Sequence, residues 1–176
     1  MASLKKLFGA MSLCLTLIVP AANAQPSLKQ QLVGTWRLGS IINVRADGTK
    51  YELFGPSAKG ILMLDADGFY SLQIMRSDWL PFGRTRMEGT PEENKNIVQS
   101  MISHFGTYRM DDKKRTIEFP IRGSSYPNWE KSVQQRSFVL LADDLSWTDP
   151  VPPTGPQSRD LRSDLVWHRA KSNDLQ

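Results

Sequence analysis

From Gly34 onward, short apolar runs alternate with clusters of turn-forming residues. In the first run the apolar positions are Trp36, Leu38, Ile42 and Val44, and arginine, glycine and asparagine stand between them. Successive side chains of a strand point to opposite faces, so this period of two predicts a strand that buries one face. The same kind of pattern recurs along the chain and predicts a sheet protein.

The clearest hairpin joins residues 61–64 to residues 69–76. Its turn, residues 65–68, reads Asp-Ala-Asp-Gly, and Asp and Gly tolerate the left-handed backbone of a tight turn. Further apolar runs bounded by turn residues bring the number of predicted strands to eight. These further strands cover residues 107–110, 116–121, 133–142, 145–149 and 165–169.

The segment between Thr90 and Gly106 has a helical period instead. Thr90 and Glu93 have the spacing of a capping box, and Pro91 suits the first helical position. Apolar residues then recur at helical spacing, and Gly106 is placed to end the helix. The pattern predicts one mid-chain α-helix over about residues 91–105.

Eight consecutive antiparallel strands leave two exposed sheet edges unless the sheet closes on itself. Eight is also the number at which a barrel interior is just wide enough for side chains or for one small ligand. The sequence therefore predicts an all-β, eight-stranded antiparallel barrel with one helix.

The first 24 residues have the three parts of a signal peptide. Lys5 and Lys6 precede an apolar run over residues 7–19, and Ala-Asn-Ala follows at residues 22–24. The run of about 13 residues is shorter than the roughly 20 that a membrane-spanning helix needs. We expect this segment to be removed, no stable membrane anchor, and export to the periplasm or the medium.

The remaining chain, residues 25–176, has the length of one ordinary domain. Cys14, the only cysteine, lies in the expected signal peptide, so the exported chain forms no disulfide. The net charge of +4 includes Lys5 and Lys6, which leaves +2 with both signs interspersed. That distribution lacks the basic patch of a nucleic-acid-binding protein, and no nucleic-acid partner is expected.

Metal sites and covalent catalysis find little support in the pattern. His104 and His168 are far apart and belong to no His-Glu-x-x-His motif. Residues 65–68 resemble the start of a calcium loop but lack its later ligands, and residues 55–60 have one residue too many for a nucleophile elbow. We expect no metal and no cofactor.

Seven short blocks, taken in order, resemble the bacterial and fungal lipocalin-like domain family. The first, residues 32–36, reads Leu-Val-Gly-Thr-Trp, and the others follow along nearly the whole exported chain. The others are residues 54–60, 75–78, 89–93, 104–108, 126–129 and 165–167. The resemblance implies a lipocalin-like barrel and little about chemistry.

In lipocalins proper, a first-strand tryptophan closes the barrel floor and an arginine of the last strand packs across it. The resemblance implies that Trp36 and Arg169 hold these structural positions, with the cation against the indole face. The mid-chain helix departs from lipocalins proper, so their ligands are not carried over to this chain.

Four residues are candidates for acid–base or anchoring roles. His104, expected in the last helical turn with Tyr108 nearby, either faces a cavity as an acid or base or lies exposed or hydrogen-bonded at the helix end. Arg76 and Asp78 either orient a polar head group or form a salt bridge at the rim.

Aromatic and methionine side chains are candidates for a ligand-binding surface, although in a small barrel such residues also form the core. These candidates are Tyr126, Trp129, Trp147, Met75 and Phe138.

Three functions fit this pattern. The leading hypothesis is an exported protein that binds a small, mostly apolar molecule inside the barrel. The second is a cofactor-free isomerase, cyclase or hydrolase that acts on a hydrophobic metabolite. The third is an interaction module with a filled barrel, and outer-face apolar residues such as Ile41 or Val166 leave the oligomeric state open. Periodicity does not distinguish a hollow barrel from a filled one.

Overall fold

A computed structural model of the chain describes residues 26–150 and 162–171, and the expected signal peptide lies outside them. The strands of this part are β1 Gly34–Val44, β2 Lys50–Tyr51, β3 Lys59–Leu64, β4 Phe69–Met75, β5 Met101–Thr107, β6 Arg109–Asp111, β7 Thr116–Ser124, β8 Val133–Leu141, β9 Asp144–Pro150 and β10 Arg162–Arg169. The α-helices are α1 Leu28–Leu32 and α2 Pro91–Gln99, and 3₁₀ turns cover Arg86–Glu88 and Pro127–Trp129.

Eight antiparallel strands of the described chain close into a barrel. Neighbours pair in the order β1, β3, β4, β5, β7, β8, β9 and β10, and β10 pairs back with β1. The short strand β6 follows β5 and also pairs with β7, and β2 adds to the end of β1. Closure pairs the first and last strands and removes the free edges. The predicted eight-stranded antiparallel barrel is confirmed.

A bulge in β1 changes which residues face the interior. The pairing with β10 shifts between Leu38 and Ser40, so two successive residues, Gly39 and Ser40, lie exposed. Beyond the bulge, Ile41 and Asn43 are buried and line the interior. The sequence-based assignment of Ile41 to the outer face is therefore wrong, because one extra residue moves all later side chains to the opposite face.

The helix is shorter than predicted. Its start is as expected: Thr90 caps the backbone of Glu93 and the Glu93 carboxylate accepts from the Thr90 N–H. Its end is not, because α2 stops at Gln99 and the chain continues directly as β5. The ladder with β4, from Met75–Met101 to Phe69–Thr107, satisfies the backbone groups that a longer helix would have paired internally. A short apolar run fits both the helical and the strand period, and here the pairing with β4 determines that it forms a strand.

Gly106, predicted to end the helix, lies instead in β5, at an irregularity in the pairing of that strand with β7. The register shifts between Phe105 and Gly106, and a Cβ atom on Gly106 would lie 2.1 Å from the Pro120 carbonyl oxygen. The glycine allows the close approach of two backbones at a bulge.

One end of the barrel, called the closed end below, is covered by α1. Ser27 and Gln30 form a capping box that starts this helix, a signal present in the sequence but not used in the prediction. The Trp36 indole N–H donates to the Leu32 carbonyl oxygen at 2.9 Å, and both residues are fully buried. The indole therefore fixes α1 over the first strand.

Large side chains fill the half of the barrel next to the closed end. They form one buried cluster in which aromatic rings contact one another across strands. Its members include Trp36, Leu62, Leu64, Tyr70, Ile117, Phe119, Phe138, Leu145, Trp147 and Trp167. The opposite end, where β1 ends and β10 begins, is called the open end.

Candidate functional site

A cavity of about 300 Å³ occupies the half of the barrel next to the open end. This volume is at the lower limit of small-molecule sites, which are typically about 300–1,000 Å³. The lining residues come from β1, β4, β5, β8, β9, β10, α2 and the loops between them. They are Ile41, Asn43, Leu53, Phe54, Leu72, Ile74, Val98, Gln99, Met101, Ile102, His104, Tyr126, Trp129, Gln134, Arg136, Asp149, Ser163 and Leu165.

Most of the surface of the cavity wall is apolar. Leu72, Ile74 and Leu165 are buried, whereas Leu53 is 45% exposed and Val98 71% exposed. Since exposed side chains also line it, the cavity reaches the surface between the segment before β3 and the end of α2. These side chains offer a small apolar molecule a surface away from water.

A buried ion pair lies inside the cavity. Nε of Arg136 pairs with Oδ1 of Asp149, and the two side chains are 4% and 19% exposed, respectively. The guanidinium also lies 5.0 Å from the Phe119 ring centre and 5.6 Å from that of Trp147. Because these rings belong to the filled half, the ion pair rests on the cavity floor. Burial raises the pKa of Asp149, and the nearby Arg136 cation opposes that effect.

Strand alternation places this pair. Along β8 every second residue is buried, first Gln134 and Arg136, then Phe138 and Leu140. Phe138 is opposite Trp147 on the antiparallel strand β9. Arg136 lies two residues before Phe138 and Asp149 lies two residues after Trp147, so these two side chains are also opposite each other.

Three buried donors around the cavity lack hydrogen-bond partners within the described residues. The Gln134 side-chain oxygen accepts from Nη2 of Arg136 at 2.5 Å, which leaves its Nε2 group unpaired. Nη1 of Arg136 and Nε1 of Trp129 are unpaired as well. An unmade hydrogen bond of a buried donor costs about 1–3 kcal/mol, so these groups favour an acceptor in the cavity.

A second polar group is satisfied internally. Asn43 donates through Nδ2 to the Ser163 hydroxyl oxygen at 2.8 Å, and its Oδ1 accepts from the Leu53 N–H at 3.1 Å. Asn43 thereby links β1, β10 and the segment before β3 at the open end.

His104 faces the interior from β5 and is 2% exposed. Its Nδ1 lies 2.9 Å from the Tyr70 hydroxyl oxygen, and its ring contacts the Trp129 ring edge to face at 5.9 Å between centres. Burial, and secondly the Arg136 cation, lower the pKa of His104 to about 3. At pH 7 the ring is neutral, so it offers hydrogen bonds but not the imidazolium form of a general acid.

The structure brings three of the predicted site residues together. His104, Trp129 and Tyr126 all line the cavity, and the Tyr126 and Trp129 rings are 5.6 Å apart between centres. Trp147 and Phe138 pair in the filled half, where they form core beneath the cavity. Met75 ends β4 and is not among the cavity-lining residues.

The other acid–base candidates lie elsewhere. The Tyr108 hydroxyl donates to the Asp65 carbonyl oxygen at 2.6 Å and holds the β3–β4 turn, near the closed end. Arg76 and Asp78 form a bidentate, exposed ion pair at 2.8 and 2.9 Å that packs beside Gly55. His104, Tyr108, Arg76 and Asp78 therefore do not form one constellation.

Sequence reasoning missed Gln134, Arg136 and Asp149. Alternation within residues 133–142 was a usable signal, because a strand that buries Phe138 also turns Arg136 inward. The partner of Arg136 requires the register between β8 and β9, which the sequence alone does not contain.

Within the described residues, no three or more histidine, cysteine, aspartate or glutamate side chains cluster as a metal site would require. No described helix has the length and apolar character needed to cross a bilayer.

Comparison with curated proteins gives no match. The family model of the lipocalin-like domain matches residues 33–170, which include every barrel strand and the whole cavity lining. That match covers well over half of the chain and agrees with the closed barrel. The chain belongs to the lipocalin-like domain family.

Proposed function

We propose that this protein is exported and binds a small, mostly apolar molecule in the barrel cavity. The observation that carries the proposal is the cavity of about 300 Å³ at the open end. A barrel used only as an interaction module needs no such space, because eight strands are few enough for side chains to fill it. Here open space remains beyond the Phe119 and Trp147 rings, on the side where Arg136 lies.

Binding is tested by titrating the mature protein with N-phenyl-1-naphthylamine, an apolar dye that fluoresces in dry surroundings. We expect saturable binding of one dye per chain. Ile74→Trp places a larger ring in the cavity and should abolish the signal, while Leu165→Phe should weaken it. Circular dichroism and urea unfolding verify that each variant is folded.

Leu141→Trp is the matched control, since Leu141 is 70% exposed on the outer face of β8. It adds the same ring without touching the cavity and should bind the dye as the wild type does. Absence of saturable binding by the folded wild type, or full binding by folded Ile74→Trp, would overturn the proposal.

Export is tested separately by expressing the full chain in a bacterium with a periplasm and measuring the intact mass of the product. A periplasmic product that begins at Gln25 supports export. A cytoplasmic product that keeps residues 1–24 contradicts it without affecting the binding proposal.

A further inference from the structure

Within the described part of the chain, three side-chain groups around the cavity lack a hydrogen-bond partner, and they share one chemical property. Nη1 of Arg136, Nε2 of Gln134 and Nε1 of Trp129 are all hydrogen-bond donors, and all three residues line the cavity. Two acceptors of the same side-chain cluster are already engaged: Gln134 Oε1 by Arg136, and Asp149 Oδ1 by the same guanidinium. The floor therefore matches a ligand group that accepts hydrogen bonds and does not need to donate them.

The charge of the floor is balanced. Among the described residues that line the cavity, Arg136 and Asp149 are the charged ones, and they pair with each other. A ligand carboxylate at Arg136 would bring a second negative charge beside Asp149 in a medium of low polarity, where like charges repel strongly. A neutral acceptor gains the hydrogen bonds without this repulsion.

The position of the guanidinium indicates how a ligand would be oriented in the cavity. Arg136 lies over the Phe119 and Trp147 rings at the floor, whereas exposed Leu53 and Val98 line the cavity at the surface. A ligand whose polar atom reaches the floor leaves its apolar part against the aliphatic wall and the mouth.

From these observations, and resting on the proposed function, we propose that the ligand is a neutral carbonyl compound of the ketone or ester type. Its carbonyl oxygen accepts hydrogen bonds from Arg136 Nη1 and Gln134 Nε2. These two donors belong to side chains that already touch, two residues apart on the inner face of β8. Trp129 Nε1 supplies a third donor at the cavity wall.

The test compares three ligands of similar length, 2-octanone, octane and octanoate, by displacement of N-phenyl-1-naphthylamine at pH 7. Two hydrogen bonds to otherwise unpaired donors should make 2-octanone bind about tenfold more tightly than octane. Octanoate should bind more weakly than 2-octanone. The infrared carbonyl stretch of bound ¹³C-labelled 2-octanone should shift to lower frequency than that of the ketone in hexane.

Gln134→Leu removes one donor, together with the acceptor of Arg136 Nη2, and keeps both members of the ion pair. The double variant Arg136→Met with Asp149→Leu removes the other donor without leaving a lone charge. Each should reduce the ketone-to-octane affinity ratio to about threefold or less. Gln135→Leu is the matched control, because Gln135 lies on the outer face of β8 and contacts Glu118. It should keep the tenfold ratio.

The outcomes separate this inference from the proposed function. Wild-type protein that fails to bind the dye overturns both. If the wild type binds the dye but has equal affinity for octane and 2-octanone, only the carbonyl assignment is overturned. A ketone preference that persists in both Gln134→Leu and the double variant overturns it as well. Tightest binding of octanoate overturns the neutral head group and assigns an anionic one.

Discussion

The guanidinium carbon of Arg169 lies 4.2 Å from the centre of the Trp36 ring, across the closed end of the barrel. The same arginine donates through Nη1 to the Val33 carbonyl oxygen at 3.2 Å and through Nη2 to that of Gln31. One side chain of the last strand thus contacts the indole of the first strand and two carbonyl groups at the C-terminal end of α1. Closure of the barrel and attachment of α1 depend on the same two residues.

Arg169→Lys should lower the free energy of unfolding by about 1–3 kcal/mol, although the charge is kept. A lysine does not reproduce the planar fork that stacks on the ring and reaches two carbonyls. Urea unfolding followed by Trp fluorescence measures the loss. Arg37→Lys, at an exposed position of β1, is the control and should change stability by less than about 0.5 kcal/mol. Equal stability of both variants would contradict the role given to Arg169.

Arg136→Met should destabilise the protein by about 3 kcal/mol, because it leaves the largely buried Asp149 carboxylate without its cation. Adding Asp149→Leu should recover stability to within about 1 kcal/mol of wild type, since a buried pair exchanged for apolar residues costs little. Chemical unfolding of the single and double variants checks this. Arg162→Met breaks an exposed pair with Asp164 and should have only a small effect. A double variant no more stable than Arg136→Met would show that the pair itself is required.

His104 should make the protein sensitive to acid. In the unfolded chain the histidine has its ordinary pKa of 6.5, whereas in the folded protein its pKa is about 3. Between these values the unfolded chain binds more protons, so stability falls as the pH falls, by about 1.4 kcal/mol per pH unit from this group.

His104→Asn should remove that contribution while its side-chain oxygen still reaches the Tyr70 hydroxyl. Between pH 7 and pH 4.5, wild-type stability should fall by about 2–3 kcal/mol more than that of the variant. Urea unfolding at four pH values in this range gives both slopes. Parallel slopes would show that the folded-state pKa of His104 is close to 6.5.

Gly106→Ala should destabilise by about 2 kcal/mol or more, because the new methyl group meets the Pro120 carbonyl oxygen in a backbone that does not yield. Gly83→Ala is the control, since its nearest neighbour would be a Glu93 carboxylate oxygen at 3.8 Å. Thermal unfolding should distinguish the two clearly. A Gly106→Ala protein as stable as the wild type would mean that the backbones of β5 and β7 lie further apart at this position than in the structure.

Much of the barrel could be predicted from signals within short segments of the sequence. The β3–β4 hairpin appears as predicted because its strand alternation and its turn residues lie within one short segment, and Gly68 has the positive φ of 93° that such a turn uses. The start of α2 was equally local, since Thr90 and Glu93 satisfy each other's backbone groups.

The missed features depend on partners far away in the chain. Residues 101–105 fit a helix until β4 is placed beside them, and the inward turn of Ile41 depends on a bulge against β10. The ion pair of Arg136 and Asp149 needs the register of two strands. The candidate site was therefore predicted only in part, with His104, Tyr126 and Trp129 at the cavity and its buried charges unforeseen.

If the cavity binds a ligand as proposed, the cover that α1, Trp36 and Arg169 form over the closed end also affects how that ligand is exchanged. Among the described residues, the exposed side chains that line the cavity, Leu53 and Val98, lie at the open end, so a ligand bound as proposed would leave by the route by which it entered. Exchange then proceeds in a fixed sequence of departure followed by arrival. The measured off-rate should stay constant however much competitor is added, and residence time becomes a property of the mouth alone.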